Sequence, residues 1–153
     1  MKEVNSAITL ATKLDLPPID QVGFVVPDIK KSIQDYTPLF GAFTVMEAEI
    51  EGAVYRGEQH DCKLILAFGK SGTLEIELIE ITSGNSPHKE FIDQGRSGLH
   101  HVRYRVADID SKIAAVKEIG YASIWYKRFS EEIAFCYLEK KGDPLIIEFL
   151  QML

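Results

Sequence analysis

The segment Ile19-Asp-Gln-Val-Gly-Phe-Val-Val-Pro-Asp-Ile29 returns later in the chain as Leu99-His-His-Val-Arg-Tyr-Arg-Val-Ala-Asp-Ile109. Gln21-Val22 falls on His101-Val102, and Val26-Pro27-Asp28-Ile29 falls on Val106-Ala107-Asp108-Ile109, at a constant spacing of 80 residues. A second correspondence sets Leu74-Glu-Ile-Glu77-Leu-Ile-Glu80 over Leu145-Ile-Ile-Glu148-Phe-Leu-Gln151, 71 residues on. An internal repeat of this length constrains the fold more than any other feature, because two similar sequences build two similar units that share a core. With 153 residues the chain holds two such halves and little else.

Each half reads as β-α-β-β-β. Residues 19–26 are rich in β-branched and aromatic side chains and predict a strand. Asp28 then offers an N-cap, Ile29, Ile33, Tyr36 and Phe40 recur at helical spacing, and Gly41 ends the run. Strands are expected at residues 42–47, 63–68 and 73–81, with a loop or frayed strand at 48–60 and a turn at 69–72. Ser86-Pro87 predicts the start of a short linker helix that stops at Gly95. The pattern then restarts with a strand at 99–106, the cap Asp108, an apolar stripe of Ile109, Ile113, Val116 and Ile119, and the stop Gly120. Three more strands are expected at 122–126, 133–138 and 145–150. The fold class is therefore α+β: two pseudo-symmetric βαβββ modules forming a curved mixed sheet around a cleft. The expected division is a leader at 1–17, a first module at 18–81, a linker at 82–97 and a second module at 98–153, one domain overall.

A net charge of −6 leaves no basic surplus to replace the counterions of a nucleic acid or to hold an anionic membrane. It leaves room for an anionic small molecule in a locally basic pocket. No apolar run approaches the ~18 residues of a membrane span. The leader lacks the apolar core and small-residue cleavage site of a signal peptide, so the expected location is the cytoplasm. Cys62 and Cys136 stand far apart in apolar surroundings and read as reduced core cysteines.

Strand alternation decides which polar groups meet. Val102, Tyr104 and Val106 are assigned to the helix side, so His101, Arg103 and Arg105 face the other way. In the first strand Val22, Phe24 and Val26 take the helix side and leave Gln21 and Gly23 on the concave face. Under the repeat Gln21 pairs with His101, and Glu77 pairs with Glu148. One imidazole, two carboxylates and one amide oxygen form a mixed N/O set suited to one divalent ion such as Zn, Co, Ni or Mn. Two carboxylates in one cleft would otherwise repel and raise each other's pKa. Taken singly, each residue has a plainer reading: a solvent-facing strand glutamate, a structural histidine, an unremarkable glutamine.

With these residues in place the chain resembles the vicinal oxygen chelate superfamily, which includes glyoxalase I, methylmalonyl-CoA epimerase and extradiol dioxygenases. The resemblance covers about residues 18–151 and implies that Gln21, Glu77, His101 and Glu148 are the metal ligands. Glu77-Leu-Ile-Glu, Ser86-Pro87, Phe91-Ile92 and Gly98-Leu-His-His-Val are most similar to the methylmalonyl-CoA epimerases. That likeness implies an isomerase that abstracts a proton next to a carbonyl through a metal-stabilised enediolate, with Glu148 as base and an acyl-CoA or other anionic thioester as substrate. Two positions depart from it. Epimerases usually carry histidine where Gln21 stands, and a catalytic glutamate on the third strand, where Lys63 stands here. Lys63 is accordingly assigned as second acid/base if it faces the cleft, against the alternative of a solvated lysine. Arg103 shares a face with His101 and is assigned to an anionic group of the substrate, against the alternative of a salt bridge to a cleft carboxylate. The Gln, Glu, His, Glu set is similar to that of glyoxalase I, which implies a lactoylglutathione-type lyase as the competing activity. A metal-free ligand-binding protein like the bleomycin-resistance proteins is the third reading. The superfamily's habits imply a homodimer.

Overall fold

The computed structural model describes residues 14–153. These form, in order, β1 (Gln21–Val25), α1 (Ile29–Phe40), β2 (Thr44–Tyr55), β3 (Glu58–Ser71), β4 (Leu74–Gly84), α2 (Pro87–Asp93), β5 (Gly98–Arg105), α3 (Ile109–Lys117), β6 (Tyr121–Arg128), β7 (Ile133–Lys140) and β8 (Asp143–Met152). Most of the expected leader lies outside the described residues; Leu14 and Leu16 rest against the α3 side of the sheet. No helix among the described residues is long and apolar enough to cross a membrane.

The repeat is visible in how each half starts its helix. Asp28 accepts from Lys31 N–H at 3.0 Å, and Asp108 accepts from Ser111 N–H at the same 3.0 Å. Each side chain satisfies an amide that the first helical turn leaves without a partner. The last strand of each half adds a second acceptor. Glu80 takes the Ile29 N–H at 2.8 Å, and Gln151 takes the Ile109 N–H at 3.0 Å. Helix and sheet are thus tied together by residues that coincide under the 71-residue spacing.

The sheet runs β1-β4-β3-β2-β6-β7-β8-β5 and closes into a barrel. In each half the first strand lies parallel to the last, β1 with β4 and β5 with β8, and antiparallel hairpins complete the set. The halves meet along β1–β5, and again through two residue pairs of β2 and β6, Val54 with Tyr126 and Tyr55 with Trp125. The curved mixed sheet expected from the sequence is therefore present, with both halves closing on each other within one chain.

Alternation sorts the apolar residues into three clusters. Val25, Ile79, Leu64, Trp125 and Phe135 fill the barrel. Val26, Leu78 and Ala67 pack outward under α1, and Val106, Phe149 and Cys136 under α3. Cys62 and Cys136 are buried and unpaired, one in the barrel and one on its outer face.

Residues 48–60 are not a loop. They belong to one long hairpin whose strands pair from Thr44–Phe68 to Tyr55–Glu58. Arg56 and Gly57 form its two-residue turn, both at positive φ (47° and 88°), the combination that matches the twist of the flanking strands. Gly52, at φ 62°, absorbs a register shift between Ile50 and Ala53. The turn expected at 69–72 likewise starts later, since β3 runs through Ser71.

Candidate metal centre

Gln21 opens β1, Glu77 sits in the middle of β4, His101 in β5 and Glu148 in β8. Register sets them on two adjacent levels of one face: Gly23 pairs with His101 on one side and with Glu77 on the other, and two residues along Arg103 pairs with Gln21 on one side and with Glu148 on the other. The four side chains meet at one atom. His101 Nε2 lies 3.3 Å from Glu77 Oε2, 3.2 Å from Glu148 Oε2 and 3.3 Å from Gln21 Oε1. All four are buried, His101 at 0% exposure, Gln21 at 1% and both glutamates at 8%.

Gly23 makes this convergence possible. A Cβ there would lie 2.0 Å from His101 Cε1 and 2.3 Å from Nε2. The imidazole occupies the space a side chain would take, which is the close approach that a glycine inside a strand often marks.

The electrostatics are those of a site short of positive charge. Burial pulls the His101 pKa down, but hydrogen bonds to Glu148 and Glu77, with their negative charge, more than offset it and lift it to about 9. Burial pushes the Glu77 carboxyl upward, His101 draws it back, and the direction that remains is up. One N–H cannot serve three oxygen acceptors, so the three oxygens exceed what the imidazole can satisfy. A divalent cation fits the same atoms. Ligands about 2.0–2.2 Å from one ion lie about 3.0–3.5 Å from each other. The His101–carboxylate and His101–amide separations fall in that range, and one donor atom from each of Glu77, His101 and Glu148 lies within 4.8 Å of the others.

A second ring of polar groups orients the first. Gln21 Nε2 donates to Glu75 Oε1 at 2.7 Å, which turns Gln21 Oε1 toward His101. Arg103 does share the interior face, but its guanidinium is engaged. It donates to Asp20 through two bonds of 2.9 and 3.1 Å, and reaches Glu75 at 3.5 Å. Arg105 adds a 2.9 Å bond to Asp20. Burial works to raise the Asp20 pKa, yet Arg103 and Arg105 hold it below the usual carboxylate range. The salt-bridge alternative for Arg103 is thus the arrangement found.

Lys63 does not join the centre. It is exposed on the outer face of β3, 3.6 Å from Glu49, while its neighbours Cys62 and Leu64 point into the barrel. Its assignment as a cleft acid/base is corrected on that ground. The sequence also gave no role to the neighbours of His101. His100 Nδ1 lies 3.1 Å from His101 Nδ1, and His88 bridges Ser86 Oγ (3.2 Å) and the Tyr137 hydroxyl (3.1 Å). Burial keeps both rings neutral, pushing His88 down to about 3 and His100 well below the usual histidine range. The adjacent pair His100-His101 was the available signal: the repeat marks His101, which immediately precedes the apolar alternation as Gln21 does, as the ligand position, and leaves His100 without a role.

Comparison with known proteins agrees with this architecture. Residues 20–137 match the Glyoxalase/Bleomycin resistance protein/Dioxygenase superfamily. That span includes Gln21, Glu77 and His101, and ends before Glu148. An uncharacterized protein of Bacillus subtilis (strain 168), YqjC, is 26% identical over 100 residues, which cover 65% of this chain and 65% of that protein. Among solved structures, a hypothetical protein from Bacillus halodurans C-125 superposes with a TM-score of 0.64 at 23% identity, covering 88% of this chain and 94% of that one. The methylmalonyl-CoA epimerase from Mycobacterium tuberculosis gives a TM-score of 0.62 at 18% identity, covering 90% and 89%. A methylmalonyl-CoA epimerase in complex with methylmalonyl-CoA and NH4+ gives 0.62 at 19%, covering 90% and 96%. At these identities the structural matches establish a shared fold.

Proposed function

The chain belongs to the glyoxalase/bleomycin resistance protein/dioxygenase superfamily, and from that premise we propose that it is a metal-dependent isomerase that moves a proton on the carbon next to a carbonyl. Gln21, Glu77, His101 and Glu148 hold the ion. The observation that carries this reading is the convergence of three oxygens from β1, β4 and β8 on His101 Nε2 at 3.2–3.3 Å in a buried site. A divalent ion bound there supplies a Lewis acid that stabilises negative charge on the substrate's carbonyl oxygen.

The protein's own groups handle the proton. The Glu148 carboxylate takes it from the α-carbon: the C–H bond breaks, an O–H bond forms on Glu148, and the electron pair passes into the adjacent carbonyl. Reprotonation at carbon returns the proton and restores the carboxylate. With Lys63 on the outside, Glu77 is the other carboxyl at the centre; while it holds a divalent ion it is ionised and can serve as a second base, not as a proton donor. Glu77 and Glu148 come from the two halves of the barrel, so a substrate lying between them meets a carboxyl from each. The substrate class we favour is an acyl-CoA or other anionic thioester. This is supported by the fold shared with epimerases, one of them solved with methylmalonyl-CoA.

The ligand set favours one competing reading. Glutamine rather than histidine at position 21 suits a glyoxalase I-like lyase acting on a thiol–aldehyde adduct. The metal-loaded protein is to be incubated in D2O with methylmalonyl-CoA and, separately, with methylglyoxal plus glutathione. Deuterium entering the α-carbon of methylmalonyl-CoA is the expected result, slowed about 10²–10⁴-fold by Glu148→Gln. Turnover of the glutathione adduct alone would select the lyase, and no exchange with either would reject proton transfer on these substrates.

A further inference from the structure

We infer that His100 is the positioning residue of the metal centre: its Nδ1 accepts the Nδ1–H of His101 and so fixes the imidazole that faces the three oxygens. The inference rests on the reading that His101 binds an ion. An ion at Nε2 uses that nitrogen's lone pair, so the single proton of a neutral imidazole lies on Nδ1. The partner of that nitrogen is His100 Nδ1, 3.1 Å away. One proton lies between the two nitrogens, so His100 Nδ1 is the acceptor and the His100 proton sits on Nε2. His100 is 3% exposed, which leaves solvent little access to take over the bond.

The ring of His100 is itself held in place. The Phe91 edge meets it at 4.9 Å between centroids and 90° between planes, and His88 and Tyr137 lie at 5.5 and 5.8 Å. Two of these three come from α2. The linker helix therefore reaches the centre through His100, and the orientation of the ligand depends on how α2 packs. Ligating histidines depend on such partners, whose removal typically weakens metal binding about 10–100-fold.

The test compares Zn²⁺ and Co²⁺ affinity of the wild-type protein, His100→Phe and His100→Asn by chelator competition, with thermal unfolding of each metal-free form. His100→Phe keeps a ring but no acceptor and is expected to bind about 10–100-fold more weakly. His100→Asn offers an amide oxygen near the place of Nδ1 and is expected to recover most of that loss. Nitrogen-15 NMR of the zinc-loaded wild type is expected to place the His100 proton on Nε2, and it decides the matter if the phenylalanine variant fails to fold. Wild-type affinity in His100→Phe, or a proton on His100 Nδ1, overturns the inference while leaving the metal site standing. A wild-type protein that binds neither ion overturns both.

Discussion

Gly23 tests the geometry of the centre at the level of one methyl group. Gly23→Ala places a carbon within 2.0 Å of the His101 ring, so either the imidazole swings away or β1 and β5 separate. We expect a loss of about 1–3 kcal/mol in denaturant-measured stability, together with loss of metal binding; an alanine variant that binds metal normally would contradict the close approach. Arg103→Ala removes one of the two arginine partners of Asp20 and frees Glu75, and with it the Gln21 amide. Its expected signature is weaker metal binding, with catalytic loss that excess metal restores. A raised KM at full metal occupancy would point instead to the substrate-binding role first assigned to it. The positions of Gln21, Glu77, His101 and Glu148 were legible because the repeat picks out the same strand positions in each half. Gly23 was not, because its contribution is an absence that only the opposing strand reveals. Lys63 was misplaced for a related reason: Cys62 and Leu64 pack into the barrel while Ile65 and Ala67 pack under α1, so β3 is apolar on both faces and periodicity alone does not say which way its lysine points.

The two helix starts offer a test of the repeat at the level of elements. Asp28→Ala and Asp108→Ala each remove one side-chain cap of the same length and are expected to cost about 1 kcal/mol apiece in urea unfolding. Clearly unequal costs would show that the two halves no longer share this device. Helix positions were readable from sequence because caps, apolar stripe and terminal glycine agree, and Gly41 does end α1, its N–H bonding Thr37 O. The β2–β3 hairpin was only half readable. Glu47, Glu49 and Glu51 point outward while Ala48 and Ile50 line the barrel, a true period of two. Its weak strand formers and the register shift at Gly52 hid it.

Over the whole molecule, the closed ring draws all four proposed ligands from a single chain. One ion per chain is therefore expected at any protein concentration, including dilutions that would dissociate the homodimer that the superfamily resemblance implies; metal lost on dilution would contradict this. The histidine contribution to stability without metal should peak near the ordinary histidine pKa of about 6.5. His101 is raised from 6.5 to about 9, so its stabilisation is complete below 6.5 and disappears as pH climbs to 9. His88, lowered to about 3, and His100 behave oppositely, since the unfolded chain takes up their protons below 6.5 and the folded one does not. Thermal unfolding across pH in the presence of chelator should trace that peak, and bound metal should remove the fall on the alkaline side. The most direct test is elemental analysis of protein purified without chelator, beside His101→Ala and Glu77→Gln. One first-row divalent ion per wild-type chain, and little in either variant, is the expected result. A wild-type protein free of metal that cannot be loaded, or variants that retain the ion, would contradict the assignment of the centre.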